Sequence, residues 1–241
     1  MTSLSMLLIG FLLGMQHATE ADHLAAVATL ATRQNSLAQT MRQGVAWGVG
    51  HTLTLMLLGG VVLALGTAIP QHFSQALEFG VGLMLIALGA DVLRRVVRQR
   101  IHIHAHSHGG GLAHVHAHSH EGEGAHVASK HHHAHRTKPP LRALAIGMMH
   151  GMAGSAALIL LSLGAAQSPT LGLLYIVLFG IGSIVGMGLL SIAIAIPFRL
   201  SAAHRVTWLS NGMKTLVGGF TCALGAFTVY EIGFVEGLLR G

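Results

Sequence analysis

Two long stretches of this chain exclude charge altogether. No Asp, Glu, Lys or Arg occurs between Arg42 and Glu78, or between Arg142 and Arg199. Each run is longer than the ~20 apolar residues that carry a helix across a hydrocarbon core. Only 9% of the 241 residues are charged and 52% are hydrophobic, with mean hydropathy +0.63. A soluble domain carries about 25% charged residues. The composition therefore predicts an all-α membrane protein, and the 32 glycines suit helices that pack closely in lipid. The net charge of +6 does not point to nucleic acid, because the arginines sit beside apolar spans. The single Cys222 supports no disulfide framework. A cleavable signal peptide is not expected: the first apolar stretch lacks a basic n-region and runs directly into a polar motif.

Six transmembrane helices are expected near 4–29, 43–66, 75–97, 141–164, 171–197 and 211–232, separated by polar or Gly/Pro-containing breaks such as "GTAIPQHFSQ" and "GAAQSPTLG". Counted along these spans, thirteen of the fourteen Lys and Arg residues fall on one side and only Arg240 on the other. The positive-inside rule makes the first side cytoplasmic and puts both termini outside. The expected location is the bacterial cytoplasmic membrane, with multiple passes.

Three units follow: a first three-helix repeat over 1–98, a loop over 99–140 and a second three-helix repeat over 141–241. The loop holds thirteen of the nineteen histidines: His102, His104, His106, His108, His114, His116, His118, His120, His126, His131, His132, His133 and His135. With Gly and Ser between them and little to build a core, it is expected to be disordered and cytoplasmic. Neutral imidazoles suit Zn, Cu, Ni and Co, so the tract reads as a metal buffer.

The two flanking units echo each other. "GMQHATEADHLAAVATL" from Gly14 aligns with "GMMHGMAGSAALILLSL" from Gly147, matching His17 to His150 and Asp22 to Ser155. "WGVGHTLTLMLLG" from Trp47 aligns with "FGIGSIVGMGLLS" from Phe179, matching His51 to Ser183. "VGLMLIALGA" from Val81 aligns with "VGGFTCALGA" from Val217. Three spans per unit is an odd number, so the second unit enters from the opposite face. That is an inverted repeat, an architecture of secondary transporters whose sites lie near the midplane at the repeat interface.

The polar motif is "MQHATEADHL", residues 15–24, which puts two histidines and two carboxylates inside an oily segment. A charged group there costs at least ~2.5–3.5 kcal/mol on insertion scales, which makes it a functional candidate. On an ideal helix His17, Glu20 and His23 form one stripe, while Asp22 points about 140° from His17. His17 and His23 are separated by a rise of about 9 Å. One ion cannot easily be held by such an arrangement, so the first span is expected to leave regular helix within 15–24. His17, Asp22, His23 and His51 are the expected metal ligands. Glu20, His150, Thr52, Ser155 and Ser183 are additional or supporting candidates, the hydroxyls more as helix-packing groups than as ligands.

"HATEADH" fits the His-x4-Asp-His signature of the nickel/cobalt transporter family, with Glu20 where that family usually has Asp. "GHTLTL" from Gly50 resembles its second motif. "HGMAGSAAL" from His150 resembles the version in the short, urease-accessory-type branch of nickel permeases. The resemblance implies a permease, not an enzyme, carrying Ni2+, with Co2+ the second candidate. It implies no resident cofactor beyond the transported ion. Cytoplasmic nickel chaperones or urease and hydrogenase maturation proteins would be its partners. Uptake is favoured, since a membrane potential negative inside draws a divalent ion inward. The alternatives are a nickel/cobalt efflux protein, whose branch also carries a His-rich insert, and a membrane-embedded zinc metallohydrolase. No nucleotide-binding loop is present in the sequence.

The histidine tract lies outside the repeated segments and cannot form a membrane pathway. Deleting residues 102–135 should leave discrimination among Ni2+, Co2+ and Zn2+ unchanged in a liposome competition assay, while lowering metal retention at low external concentration. A change in which metal crosses would place selectivity in the tract.

Overall fold

The computed structural model describes residues 3–33, 36–65, 70–100, 103–106, 114–117, 140–153, 169–203 and 207–239. The helices are α1 (Ser3–His17), α2 (Ala21–Ala31), α3 (Leu37–Leu65), α4 (Gln71–Arg100), α5 (Leu141–Gly151), α6 (Pro169–Ala203) and α7 (Thr207–Tyr230), the last running on into a π-helical turn, Glu231–Val235. Local chemistry sets their starts. The Ser36 hydroxyl accepts the backbone N–H of Gln39 at 3.2 Å, capping α3. Pro70 and Pro140 stand immediately before α4 and α5, and Pro169 opens α6, where a missing N–H breaks no helical bond.

Among the described residues four segments are long and apolar enough to cross a bilayer: Leu37–Val61, Gln71–Arg98, Thr170–Ser201 and Trp208–Val235. Two shorter apolar helices, Leu7–His17 and Ala21–Ala31, stand where the first span was expected. The outer surface is oily, with Leu57, Leu216 and Val235 each about two-thirds exposed or more. Trp208 and Tyr230 are exposed near the two ends of α7. Their separation of roughly 33 Å along a helix matches a ~30 Å hydrocarbon core with aromatic residues at both interfaces. The chain is a multi-pass membrane protein.

Four helix pairs make the body: α1 on α6, α5 on α3, α3 on α6 and α4 on α7. They approach through glycine. A Cβ on Gly14 would fall on the backbone carbonyl of Phe179, and one on Gly147 on that of Trp47. Likewise, a Cβ on Gly182 would strike the carbonyl of Phe11, and one on Gly50 that of Leu144. These are the residues that the alignment of the two units interchanges, so one contact is made twice with the units swapped. In lipid no hydrophobic force draws helices together, and close backbone approach at small residues supplies the attraction instead.

Two expectations change. The histidine-rich insert is not wholly without structure: β1 (Ile103–His106) and β2 (His114–Ala117) pair antiparallel, with His104 opposite His116 and His106 opposite His114. The cause is legible afterwards. "IHAH" and "HVHA" alternate histidine with Ile, Val or Ala, a period-2 pattern that favours strand. Among the described residues the fold is thus all-helical apart from this ladder. In addition, α5 is described as helix only to Gly151, followed by a turn in which Ala153 N–H donates to the His150 carbonyl at 3.2 Å. The remainder of the expected fourth span, 154–164, lies outside the described residues.

Gly14→Ala and Gly147→Ala should each destabilise the detergent-solubilised protein, by about 1–3 kcal/mol for an overpacked contact. Gly60→Ala, where nothing lies within 4 Å of the added Cβ, should not. Thermal unfolding midpoints check this; equal midpoints for all three would remove glycine contact as the basis of packing.

Candidate metal site

The first membrane segment breaks where its charges are. α1 ends at His17, and the next amides turn back on it: Thr19 N–H donates to the Gln16 carbonyl at 2.8 Å and Glu20 N–H to that of His17 at 3.1 Å. Glu20 is extended (φ −61°, ψ 149°), and α2 starts again at Ala21. The expected departure from regular helix is therefore present at Ala18–Glu20. It also overturns the ideal-helix directions: the His17 and His23 rings stand 4.2 Å apart between centroids, and Asp22 turns toward the histidines instead of away.

Asp22 joins the two units. One oxygen, Oδ1, accepts from His23 Nδ1 at 2.9 Å and from its backbone N–H at 2.9 Å. The other, Oδ2, accepts from His150 Nε2 at 2.8 Å. Glu20 Oε1 accepts from His17 Nδ1 at 2.8 Å, and His17 Nε2 lies 3.1 Å from His51 Nε2. His17, His23 and His51 thus converge as one possible ligand set, and Asp22, His23 and His150 as a second, with donor atoms in each set within 4.8 Å of one another. All four histidines are buried, whereas Asp22 is 37% and Glu20 54% exposed. The exposed part of the cluster is its pair of carboxylates.

The hydrogen bonds assign the protons. A carboxylate only accepts, so neutral His17 and His23 carry their protons on Nδ1 and neutral His150 on Nε2. His51 must then donate from Nε2 to His17. What remains on His23 Nε2, His51 Nδ1 and His150 Nδ1 is a lone pair, and these three buried atoms have no hydrogen-bond partner among the described residues. Leaving a buried acceptor unpaired costs about 1–3 kcal/mol. Carboxylates behind imidazoles also match the way proteins orient metal-binding histidines.

Helix ends add to this field. α1 and α5 both terminate at the cluster, with His17 and His150 in their last turns. The carbonyl end of a helix is its negative pole and favours a cation. Asp22 lies in the first turn of α2, where the positive pole favours an anion. Two aromatic walls flank the cluster: Phe179 lies 5.3 Å from His17, and Trp47 lies 5.2 Å from His23 and 5.6 Å from His150. Sequence reasoning used both only as alignment anchors. The signal was there, since Trp47 precedes His51, and Phe179 precedes Ser183, by one helical turn.

The supporting candidates divide. His150 joins the cluster directly. Thr52 Oγ1 donates to the Gly180 carbonyl and Ser183 Oγ to the Gly14 carbonyl, each at 3.2 Å, so both hydroxyls tie helices together. Ser155 lies outside the described residues. Of the histidine tract, His104, His106, His114 and His116 lie on β1 and β2, and the other nine are outside the described residues.

Fold and site together define a helical multi-pass membrane protein with a buried cluster of metal-ligating side chains. The chain is 34% identical over 238 residues to the urease accessory protein UreH of Bacillus sp. (strain TB-90), covering 98% of this chain and 96% of that one. It belongs to the UreH family of urease accessory proteins. No family model and no solved structure matches it.

His23 is common to both ligand sets. His23→Ala should therefore weaken binding of Co2+, used as a spectroscopic probe, more than Asp22→Asn. The latter should cost ~10–100-fold, as losses of metal-orienting partners do. Equilibrium dialysis on protein lacking residues 102–135 measures both. Unchanged affinity in His23→Ala would dissolve the cluster as a metal site.

Proposed function

We propose that this chain is a permease for Ni2+, with Co2+ as a second cargo, working inward across the bacterial cytoplasmic membrane. The observation that carries the reading is the buried cluster itself: bare lone pairs on His23, His51 and His150, with the Asp22 carboxylate behind the first and last of these rings, and His17 and His150 in the last turns of α1 and α5. Imidazole with carboxylate is a donor set for borderline divalent ions such as Ni2+, Co2+ and Zn2+. His17, His23 and His51 supply nitrogens to the ion. Glu20 and Asp22 orient the rings and offset its charge, and His150 brings the second unit to the same place. The relative's name, an accessory protein of urease, agrees with the resemblance to urease-accessory-type nickel permeases.

In this reading α1 and α2 together make one interrupted span, α5 begins its counterpart, and six spans form two inverted three-helix repeats. The interchanged glycine contacts support that relation, because the same approach occurs at Gly14–Phe179 and at Gly147–Trp47. Interrupted helices at the midplane suit such a carrier, since freed backbone is tolerated where it lines a cavity. The arginine-rich face is cytoplasmic, so the histidine insert meets ions on release and passes them to nickel chaperones. A potential of 100 mV, negative inside, contributes roughly 4–5 kcal/mol to inward movement of a divalent ion.

Proteoliposomes holding a Ni2+-sensitive dye provide the test. The intact chain should admit Ni2+, while His17→Ala, Asp22→Ala and His23→Ala should insert normally and fall to the rate of protein-free vesicles. Normal flux by any two of these variants would falsify the assignment.

A further inference from the structure

A second polar cluster lies away from the histidines, at the arginine-rich end of the molecule. Asp91, on α4, gathers three guanidinium groups onto one oxygen, Oδ2. Arg33, just beyond α2, pairs with it directly; Arg95, one turn further along α4, lies at 3.4 Å; Arg142, the second residue of α5, lies at 4.0 Å. Arg95 also donates to the Asp91 carbonyl at 3.2 Å and to Thr32 Oγ1 at 3.4 Å. These groups are about a quarter to a half exposed, so water reaches this end.

The position of the cluster matters more than its strength. α2 begins with Asp22 and His23 and ends beside Arg33; α5 begins beside Arg142 and ends with His150. The two short helices are thus fastened at both ends, by the Asp22–His150 hydrogen bond at the site and by Asp91 at the arginine-rich face. The fastenings are roughly 12–17 Å apart along the helices. Ala26, Leu30, Ala143 and Ile146 from these same two helices belong to one buried apolar cluster with Trp47. Along α2 and α5 they lie between the histidines and the arginine-rich ends, whereas Asp22 and Glu20 are partly exposed.

We propose that Asp91 is a positioning residue that gates the metal site: it holds the ends of α2 and α5 together over the apolar plug, and an ion reaches the arginine-rich face only when that hub parts. The cargo rests on the permease reading above; the closure does not. Three guanidinium groups repel one another, so the closure depends on the single carboxylate among them.

Cysteine accessibility tests the gate. Ala26→Cys and Ala143→Cys, fully buried positions of the plug, are made separately in the full chain carrying Cys222→Ala. Each is exposed to a membrane-impermeant maleimide in right-side-out and inside-out vesicles. With Asp91 present, neither cysteine should label from either face. Asp91→Asn should raise labelling roughly tenfold, as expected for breaking one coupled charge network, and only from the arginine-rich face. Asp91→Glu should restore protection, and the Co2+ absorption of Asp91→Asn should persist because the histidines are untouched. Labelling of Asp91→Asn no faster than its parent overturns the gate. So does labelling from both faces with loss of the Co2+ spectrum, which marks a merely structural residue. Because labelling is read without transport, a failed Ni2+ flux assay overturns the permease reading and leaves this result standing.

Discussion

The Asp22 carboxylate binds a ring on each side, His23 from its own helix and His150 from the other unit, and much of the molecule follows from that pair of hydrogen bonds. An anion at membrane depth is costly unless it is paired and hydrogen-bonded. Meeting that demand across two units requires the first segment to break at Ala18–Glu20, so that α2 can turn Asp22 toward His150. It also fixes which nitrogen of each ring carries a proton. Once Asp22 accepts hydrogen bonds from His23 Nδ1 and His150 Nε2, their remaining nitrogens are bare acceptors inside the protein. A cluster of bare acceptors has the chemistry to hold a cation, before any function is assigned to it.

That geometry needs backbones to come very close. α1 cannot deliver His17 to His51 unless it lies against α6, and α5 cannot deliver His150 unless it lies against α3. Both approaches leave no room for a Cβ at Gly14 or Gly147, which stand three residues before His17 and His150. The glycine that permits contact and the histidine that uses it are therefore on the same turn. Phe179 and Trp47, whose carbonyls receive the glycines, also present their rings to the histidines. Packing and site are one arrangement, which is why they recur together in the aligned segments.

This explains what the sequence made legible. Two of the long helices, α3 and α6, could be read from charge-free runs, because lipid solvation imposes length and composition directly. The break at 15–24 could be read from the mismatch between His17, Asp22 and His23 on an ideal helix. The partners across the break could not. An ideal helix sends Asp22 away from the histidines, and only the extended Glu20 reverses it, a local backbone choice with no compositional mark. The role of His150 was open for the same reason: its partner is 128 positions away, in a segment whose direction the break decides. Asp91 carries no signal of its own in the sequence, because an acid among arginines at a membrane face reads as ordinary charge balance. The paired strands are marked only by the Ile, Val and Ala residues alternating with the histidines, a pattern too short within a Gly- and Ser-rich tract to stand out from it.

In the permease reading a bound ion must also be released, and the hydrogen bonds within the cluster offer a means of doing so. Its ligands are already hydrogen-bonded to one another: His17 to His51, and His23 and His150 to Asp22. Using His17 Nε2 for an ion means giving up its bond to His51, and recruiting Asp22 as a ligand means loosening its hold on His150. Each internal hydrogen bond contributes a net ~0.5–1.5 kcal/mol, or more where a carboxylate is the acceptor. That contribution is subtracted from the affinity for the ion, at about tenfold for every 1.4 kcal/mol. When the ion leaves, these bonds re-form, so each of the four rings keeps one hydrogen-bond partner in the empty site. Conduction in general needs sites favourable enough to enter and weak enough to leave. Here the weakening is built into the resting network, and it acts at the point where the two units meet.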